Sequence, residues 1–291
     1  MSGNKDSYYL PTPSHWPIVG SLALLVMASG AVMTMNKINM GGTTLLAGVA
    51  ILLFMMFGWF GQVIRESESG MYNKQVDKSF RLGMSWFIFS EVLFFAAFFG
   101  ALFYARVLSV PWLASGDTMS QLWPNFVASW PSNAPGVEQL SGPGSTQKFT
   151  PMGAWGIPAI NTLLLLTSGA TLTWAHWGLL KNNRSQLIIG LVLTIILAFA
   201  FIGLQAQEYH HAYTELGLTL GAGIYGATFF MLTGFHGFHV MLGTTMLTII
   251  LIRSIKGHFK PDSHFGFEGV AWYWHFVDVV WLGLFVFVYW L

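Results

Sequence analysis

The chain contains no cysteine and few charged residues. The absence of cysteine excludes disulfides, thiolate metal sites and cysteine nucleophiles. Charged residues make up 9% of 291, whereas a soluble domain carries about 25%. Apolar residues make up 54%, and the mean hydropathy is +0.57. The net charge of +1 provides neither a basic surface for nucleic acid nor an acidic tail. The composition therefore predicts a membrane protein whose polar chemistry depends on His, Asp and Glu.

The first residues, MSGNKDSYYLPTPSHWP, are polar, aromatic and rich in proline. A signal peptide would begin with basic residues and continue into a short apolar core, so we expect no cleaved targeting segment. No repeat with a period of about 20 to 50 residues is visible, which argues against a repeat array. We therefore expect one transmembrane domain over residues 1–291.

Several apolar stretches are long enough to cross a bilayer, which takes roughly 20 residues of helix. The predicted fold class is an all-α membrane protein with seven transmembrane helices. The predicted spans are residues 17–35, 43–64, 82–104, 156–180, 187–207, 222–252 and 270–291. Residues 105–155, rich in Pro, Gly, Ser and Trp, form the predicted outer loop. Two interpretations of this loop stay open. One is a covering loop packed on the bundle or on a neighbouring subunit, and the other is a functional lid.

The distribution of basic residues predicts the orientation. With the N-terminus in the cytoplasm, ten of the thirteen Lys and Arg residues fall on the cytoplasmic side. The exceptions are Lys37, Arg106 and Lys148, and Lys148 lies in the long loop, where charge has little influence on topology. We therefore expect a cytoplasmic N-terminus and an outer C-terminus.

A single carboxylate, Glu91, lies inside the third apolar stretch. The residues three, four and seven positions away on the same helix cannot pair with a charge, so any partner lies on another segment. These neighbours are Met84, Phe87, Ile88, Phe94, Phe95 and Phe98. An ionised acid at this depth costs at least about 3 kcal/mol, so we expect a protonated Glu91. Two roles stay open: a hydrogen-bonded bridge between helices, and a group that exchanges protons with a nearby uptake path.

Histidines occur in the last two spans. His236 and His239 share one helical face in GFHGFHV, and His275 and Asp278 share another in WYWHFVDVVW. Histidines could ligate a haem or a metal, but a haem needs axial ligands from opposite sides. No Cys or carboxylate completes a zinc-like set around His236 and His239. We therefore expect these four residues to be structural polar groups between helices, and we predict neither a metal site nor a catalytic residue.

Basic and aromatic residues are predicted to meet at the cytoplasmic interface. Trp59, Arg65 and Glu66 end the second span, and Arg253 and Lys256 end the sixth. Such groups suit a phospholipid headgroup. The alternative is ordinary positive flanking of the spans with no bound lipid.

Four segments together are similar to subunit III of cytochrome c oxidase, the haem-copper terminal oxidase. They are WFGQVIRES at 59–67, FIFSEVLFFAAFF at 87–99, YGATFFMLTGFHGFHV at 225–240 and HFGFEGVAWYWHFVDVVWL at 264–282. The resemblance covers nearly the whole chain and is weakest in the predicted outer loop. It implies a non-redox subunit of the oxidase that reduces O2 to water and pumps protons.

The resemblance also implies partners and sites. Haem and copper would belong to subunits I and II, and this chain would carry no cofactor except bound phospholipids. The first two spans and the last five would form a V whose cleft holds these lipids. Residues implied at the lipid headgroups are Trp59, Arg65, Glu66, His239, Arg253 and Lys256. Glu91 would support proton uptake by subunit I.

The remaining expectations concern the setting of the complex. Cytochrome c would be the electron donor to the complex, and nucleic acid would not be a partner. The expected location is an energy-transducing membrane, taken as the bacterial inner membrane. The alternatives are a subunit III of a quinol oxidase, which usually has five spans, and a stand-alone haem-b membrane protein or proton channel.

Overall fold

The structure is a computed structural model that describes residues 12–124, 126–132 and 149–291, except for the side chain of Ser120. Seven of its helices are long and apolar enough to cross a membrane, which confirms the predicted number of spans and the all-α class. We number these helices α1 to α7. Their bounds are Trp16–Met35, Gly41–Glu68, Lys74–Leu113, Ile157–Leu180, Arg184–Thr214, Gly223–Lys256 and Phe265–Trp290.

Four helices, α2, α3, α5 and α6, continue beyond their predicted ends, and α3 and α5 do so by the most residues. The third was expected to stop at residue 104, but a π-helical turn at Tyr104–Ser109 leads into a further α-helical turn ending at Leu113. The predicted outer loop therefore begins later, and it contains a short helix at Asp117–Leu122. The fifth was expected to stop at residue 207 but reaches Thr214, because its polar end buries Glu208 and Ala212 on the inner face.

The chain divides into two compact units, the first ending at Phe80 and the second running from Arg81 to Leu291. In the first unit, α1 packs along α2 with direct backbone contact. A Cβ atom at Gly48 would lie 2.6 Å from the backbone nitrogen of Met27, so a larger residue would separate the helices. The indole Nε1 of Trp16 donates to the Gln62 amide oxygen at 2.8 Å, which joins the start of α1 to the end of α2.

In the second unit, α4 packs against α5 and α7, and α6 packs against α5 and α7. Large aromatic side chains fill the centre, among them the fully buried Trp274 and Trp281. Each indole nitrogen donates to a hydroxyl on α4: Trp274 to Ser168 and Trp281 to Thr162, both at 2.9 Å. Buried polar atoms are thus paired across helices inside an apolar core.

The described part of the predicted outer loop packs on one end of the second unit. The backbone nitrogen of Tyr225 donates to the Ser132 carbonyl at 3.1 Å, and the Phe149 ring stacks on Tyr225 with centroids 5.3 Å apart. Residues 133–148 lie outside the described residues, so the choice between cover and lid stays a prediction. Lys5 and Lys148 also lie outside them, and the cytoplasmic N-terminus stays a prediction.

Candidate functional site

Glu91 on α3 lies opposite His239 on α6, within the second unit. The carboxylate oxygen Oε2 is 2.9 Å from the imidazole Nε2. The Glu91 side chain is 22% exposed and that of His239 is 9% exposed. The partner that the sequence placed on another segment is therefore His239.

The second nitrogen of His239 determines how this pair shares its proton. Nδ1 lies 2.7 Å from the backbone carbonyl of Phe235, and because a carbonyl only accepts, Nδ1 must carry a hydrogen. One further proton then lies between Nε2 and Glu91 Oε2, bound either to the carboxyl oxygen or to the ring nitrogen. In both arrangements the pair has no net charge.

The surroundings of His239 are aromatic. The ring of Phe95 lies 5.0 Å from the imidazole centroid in an edge-on contact, and the ring of Tyr273 stacks at 6.2 Å. Phe94 and Phe276 complete the environment at 6.0 and 6.4 Å. Separated charges are poorly solvated in such a setting, so the arrangement with a neutral carboxylic acid and a neutral imidazole is favoured.

His236, one turn away on α6, has a different partner. Its Nε2 donates to the backbone carbonyl of Val277 on α7 at 3.2 Å, and its side chain is buried between Phe201 and Trp281. His236 and His239 therefore hydrogen bond to different helices and do not converge on a common ligand.

His275 and Asp278 lie on one side of α7 near α4. Their closest side-chain atoms, Nδ1 and Oδ2, are 3.6 Å apart, and His275 Nε2 is 3.4 Å from the Thr173 hydroxyl. Asp278 packs against Gly169, where a side chain would collide with its carboxylate. Within the described ranges, no group of three or more His, Cys, Asp or Glu residues could hold a metal ion.

The predicted lipid residues of the second unit lie at the end of α6. The Arg253 guanidinium lies over the Phe259 ring at 4.5 Å, and Lys256 is exposed. Arg184, which the sequence analysis did not single out, donates to the Ser254 carbonyl beside them. His239 is 14 residues before Arg253, roughly 21 Å along the helix, so the structure does not bring it to this end.

The predicted lipid residues of the first unit lie at the end of α2. Trp59 is 45% exposed and Arg65 is exposed. Glu66 is engaged within its own unit, since its two carboxylate oxygens accept from the Gln62 amide and the Tyr72 hydroxyl, both at 2.8 Å. This carboxylate therefore fixes the turn after α2, which leaves Trp59 and Arg65 as the outward-facing groups.

The comparison with known proteins decides the family. The family model described as "Cytochrome c oxidase subunit III" matches residues 6–291. The chain belongs to this family. The protein named "Cytochrome c oxidase subunit 3" from Marchantia polymorpha is 44% identical over 98% of this chain and 97% of its own length. The Arabidopsis thaliana protein of that name is 42% identical over 100% and 98%, and the Homo sapiens protein is 41% identical over 100% and 99%.

Membership of the subunit III family makes the chain a multi-pass membrane subunit of the terminal oxidase, in complex with other oxidase subunits. It also confirms the resemblance stated from the sequence. The three relatives come from two plants and a human, so they give no support to the expected bacterial inner membrane.

A fully buried carboxylate of this family member, Glu208 on α5, was not predicted from the sequence. It is 0% exposed and accepts from the Tyr289 hydroxyl of α7 at 2.6 Å. Its segment, QAQEYHHAYTE, becomes gradually more polar, a pattern that predicts the end of the span. The apolar residues four positions away on the same helix, Leu204 and Ala212, were the available signal that this carboxylate faces inward.

Proposed function

We propose that this chain is the non-redox subunit that stabilises the catalytic subunit of cytochrome c oxidase, holds phospholipids and supports proton uptake during O2 reduction. The observation that supports the proton role is the 2.9 Å contact between Glu91 Oε2 and His239 Nε2, two titratable groups that share one hydrogen bond. This pair is partly exposed at mid-helix. Release of the proton leaves one negative charge on the pair, and uptake of another proton restores the neutral state, so each exchange leaves the charge in the membrane only transiently.

The same pair also supports the stabilising role. Glu91 and His239 join α3 to α6 through one hydrogen bond, in a region where α3 otherwise packs through aromatic side chains such as Phe94 and Phe95. Bridge and proton exchanger are therefore two roles of one contact. They differ in what they require of the carboxyl group, because only exchange requires it to titrate.

The proposed lipid role depends on the two helix ends separately. At the end of α6, an Arg253 guanidinium held over Phe259 and an exposed Lys256 offer a fixed and a mobile cation to a phosphate. At the end of α2, Trp59 and Arg65 offer an aromatic anchor and a cation. His239 is not included among the proposed lipid residues, because it lies far from the end of α6. Its role in this proposal is that of the partner of Glu91.

We propose subunits I and II as the protein partners, with haem and copper in those subunits and cytochrome c as the donor to the complex. Seven membrane-spanning helices favour this assignment over a quinol oxidase subunit III, whose usual five spans would lack α1 and α2. Soret absorbance of the isolated chain at stoichiometric levels would instead support the alternative of a stand-alone haem-b membrane protein.

Deletion of the chain tests the proposed role in the oxidase. We expect the haem and copper content of the remaining complex to be unchanged, whereas activity declines over successive turnovers and recovers when the wild-type chain is restored. Metal analysis and continuous oxygen-consumption traces measure the two effects. A deletion strain whose oxidase keeps full activity through prolonged turnover at neutral pH would contradict the supporting role.

A further inference from the structure

A second polar cluster lies at one end of the second unit and includes neither Glu91 nor the proposed lipid residues of that unit, Arg253 and Lys256. Asn161 is near the start of α4, Gln205 and Glu208 are near the end of α5, and Tyr289 is near the end of α7. All four side chains are buried, and Asn161 and Glu208 are 0% exposed. Three helices thus bring a fully buried carboxyl group and its polar neighbours together.

The hydrogen bonds of this cluster reach only one of the two Glu208 oxygens. Oε1 accepts from the Tyr289 hydroxyl at 2.6 Å and from the Gln205 amide nitrogen at 3.3 Å. Asn161 Nδ2 donates to the Gln205 amide oxygen at 3.4 Å. Two buried oxygens, Glu208 Oε2 and Asn161 Oδ1, have no hydrogen-bond partner among the described residues.

The charge state of Glu208 follows from these contacts. In the described parts of the chain, Glu208 has no ion-pair partner within 4.0 Å, and the nearby His211 pairs instead with Glu215 at 3.2 Å. An ionised Glu208 would leave a charged Oε2 buried without a donor, which is strongly unfavourable. Because Oε1 already accepts two hydrogen bonds, the proton belongs on Oε2.

Protonation turns the two unpaired oxygens into a complementary pair. Glu208 Oε2 becomes a donor in need of an acceptor, while Asn161 Oδ1 is an acceptor in need of a donor. A single water molecule can accept from the first and donate to the second, and buried waters in proteins typically satisfy such groups with two to four hydrogen bonds. We propose that Asn161, Gln205 and Glu208 form a buried site for one water molecule beside a protonated Glu208.

Aromatic rings pack around Tyr289, the phenol that donates to Glu208 Oε1. The ring of Phe229 lies edge-on to Tyr289 at 5.4 Å, and the ring of Trp281 lies 5.8 Å from it. The hydrated acid therefore fixes α4, α5 and α7 to one another. The Glu91 side chain is 22% exposed, whereas Glu208 is 0% exposed. This inference does not depend on the proposed function.

Infrared difference spectroscopy of the purified oxidase tests the protonation. The wild-type spectrum minus that of Glu208→Gln should contain the C=O band of a protonated carboxylic acid at about pH 6, where an ordinary glutamate is ionised. Carboxylate bands at this pH would overturn the proposal. The matched control is Glu215→Gln, seven residues later and 69% exposed, which should remove carboxylate bands only.

Electron cryo-microscopy of the same complex, at a resolution that shows ordered waters, tests the water. One density peak should lie within hydrogen-bonding distance, about 2.5–3.2 Å, of both Glu208 Oε2 and Asn161 Oδ1. Direct contact between these two atoms with no peak would refute the site. Glu208→Gln should keep the peak, because the Gln amide donates to the water as the acid does. Loss of the peak in this assembled variant would also refute it.

Discussion

Replacing Glu91 separates the two roles proposed for the Glu91–His239 pair. The neutral arrangement has the carboxylic acid donating to His239 Nε2, and a Gln side chain at position 91 donates to the same nitrogen through its amide. Glu91→Gln should therefore keep the bridge while removing the titratable group. Glu91→Ala removes both and leaves Nε2 without a partner.

The expected loss in the Ala variant can be estimated from the geometry. Losing one hydrogen bond costs about 1 kcal/mol net, and leaving a buried acceptor unpaired raises this to about 1–3 kcal/mol. His239 is only 9% exposed, which places the cost near about 2 kcal/mol. For a domain of this size, that corresponds to a fall of roughly 4 to 8 °C in the melting midpoint. Glu91→Gln should stay within about 2 °C of the wild type.

Two assays of the purified complex distinguish the outcomes. Thermal melting followed through the release of this chain measures the bridge, and oxygen consumption at about pH 6 and about pH 8 measures the response to proton supply. Ser90→Ala, a substitution beside Glu91 that removes only a hydroxyl bonded to its own helix, is the matched control. A proton-exchange role predicts that Glu91→Gln melts normally but slows turnover at the higher pH. If Glu91→Gln lowers the midpoint as far as Glu91→Ala does, the neutral bridge is wrong.

Two further predictions concern accessibility and lipid. A hydrophobic carbodiimide, which reacts with protonated carboxyl groups in apolar settings, should label Glu91 in intact membranes at neutral pH but not the fully buried Glu208. An unlabelled Glu91 would show that it is ionised or shielded. Arg253→Ala should lower the number of phospholipids retained in native mass spectrometry, because it removes the proposed two-point phosphate contact, whereas Arg253→Lys should lose fewer. An equal lipid count and release threshold in Arg253→Ala and the wild type would exclude this residue from the lipid site.

The number of spans could be predicted from composition, because crossing a bilayer imposes a minimum apolar length that the sequence displays directly. The residues at which the helices end could not be predicted in this way. A π-helical turn carries α3 past Tyr104 into a segment whose Pro, Ser and Trp content indicates a loop. At the end of α5, polar residues continue the helix because tertiary packing, which local composition does not encode, buries their inner face.

The hydrogen-bond partners of the site residues also depend on tertiary packing, which the sequence does not display. The sequence indicated that Glu91 needed a partner on another segment, but only the packing of α3 near α6 selects His239 over the other polar residues. His236 and His239 looked equivalent on a helical wheel. The angle between them is enough to direct one toward the Val277 carbonyl and the other toward α3. Glu208 was missed because the polar composition of its segment outweighs the local sign of an inward-facing position, which is the apolar pair Leu204 and Ala212.

The hairpin of α1 and α2 has a consequence for biogenesis. Its close approach at Gly48 and the hydrogen bond from Trp16 to Gln62 both lie within residues 16–68. Helices α1 and α2 can therefore pack against each other inside the bilayer as soon as α2 leaves the insertion machinery, before the other five helices have been synthesised. A bulky residue in place of Gly48 would disrupt this first packing step. The expected result is a nascent chain exposed to quality-control proteases rather than a defect in the finished enzyme.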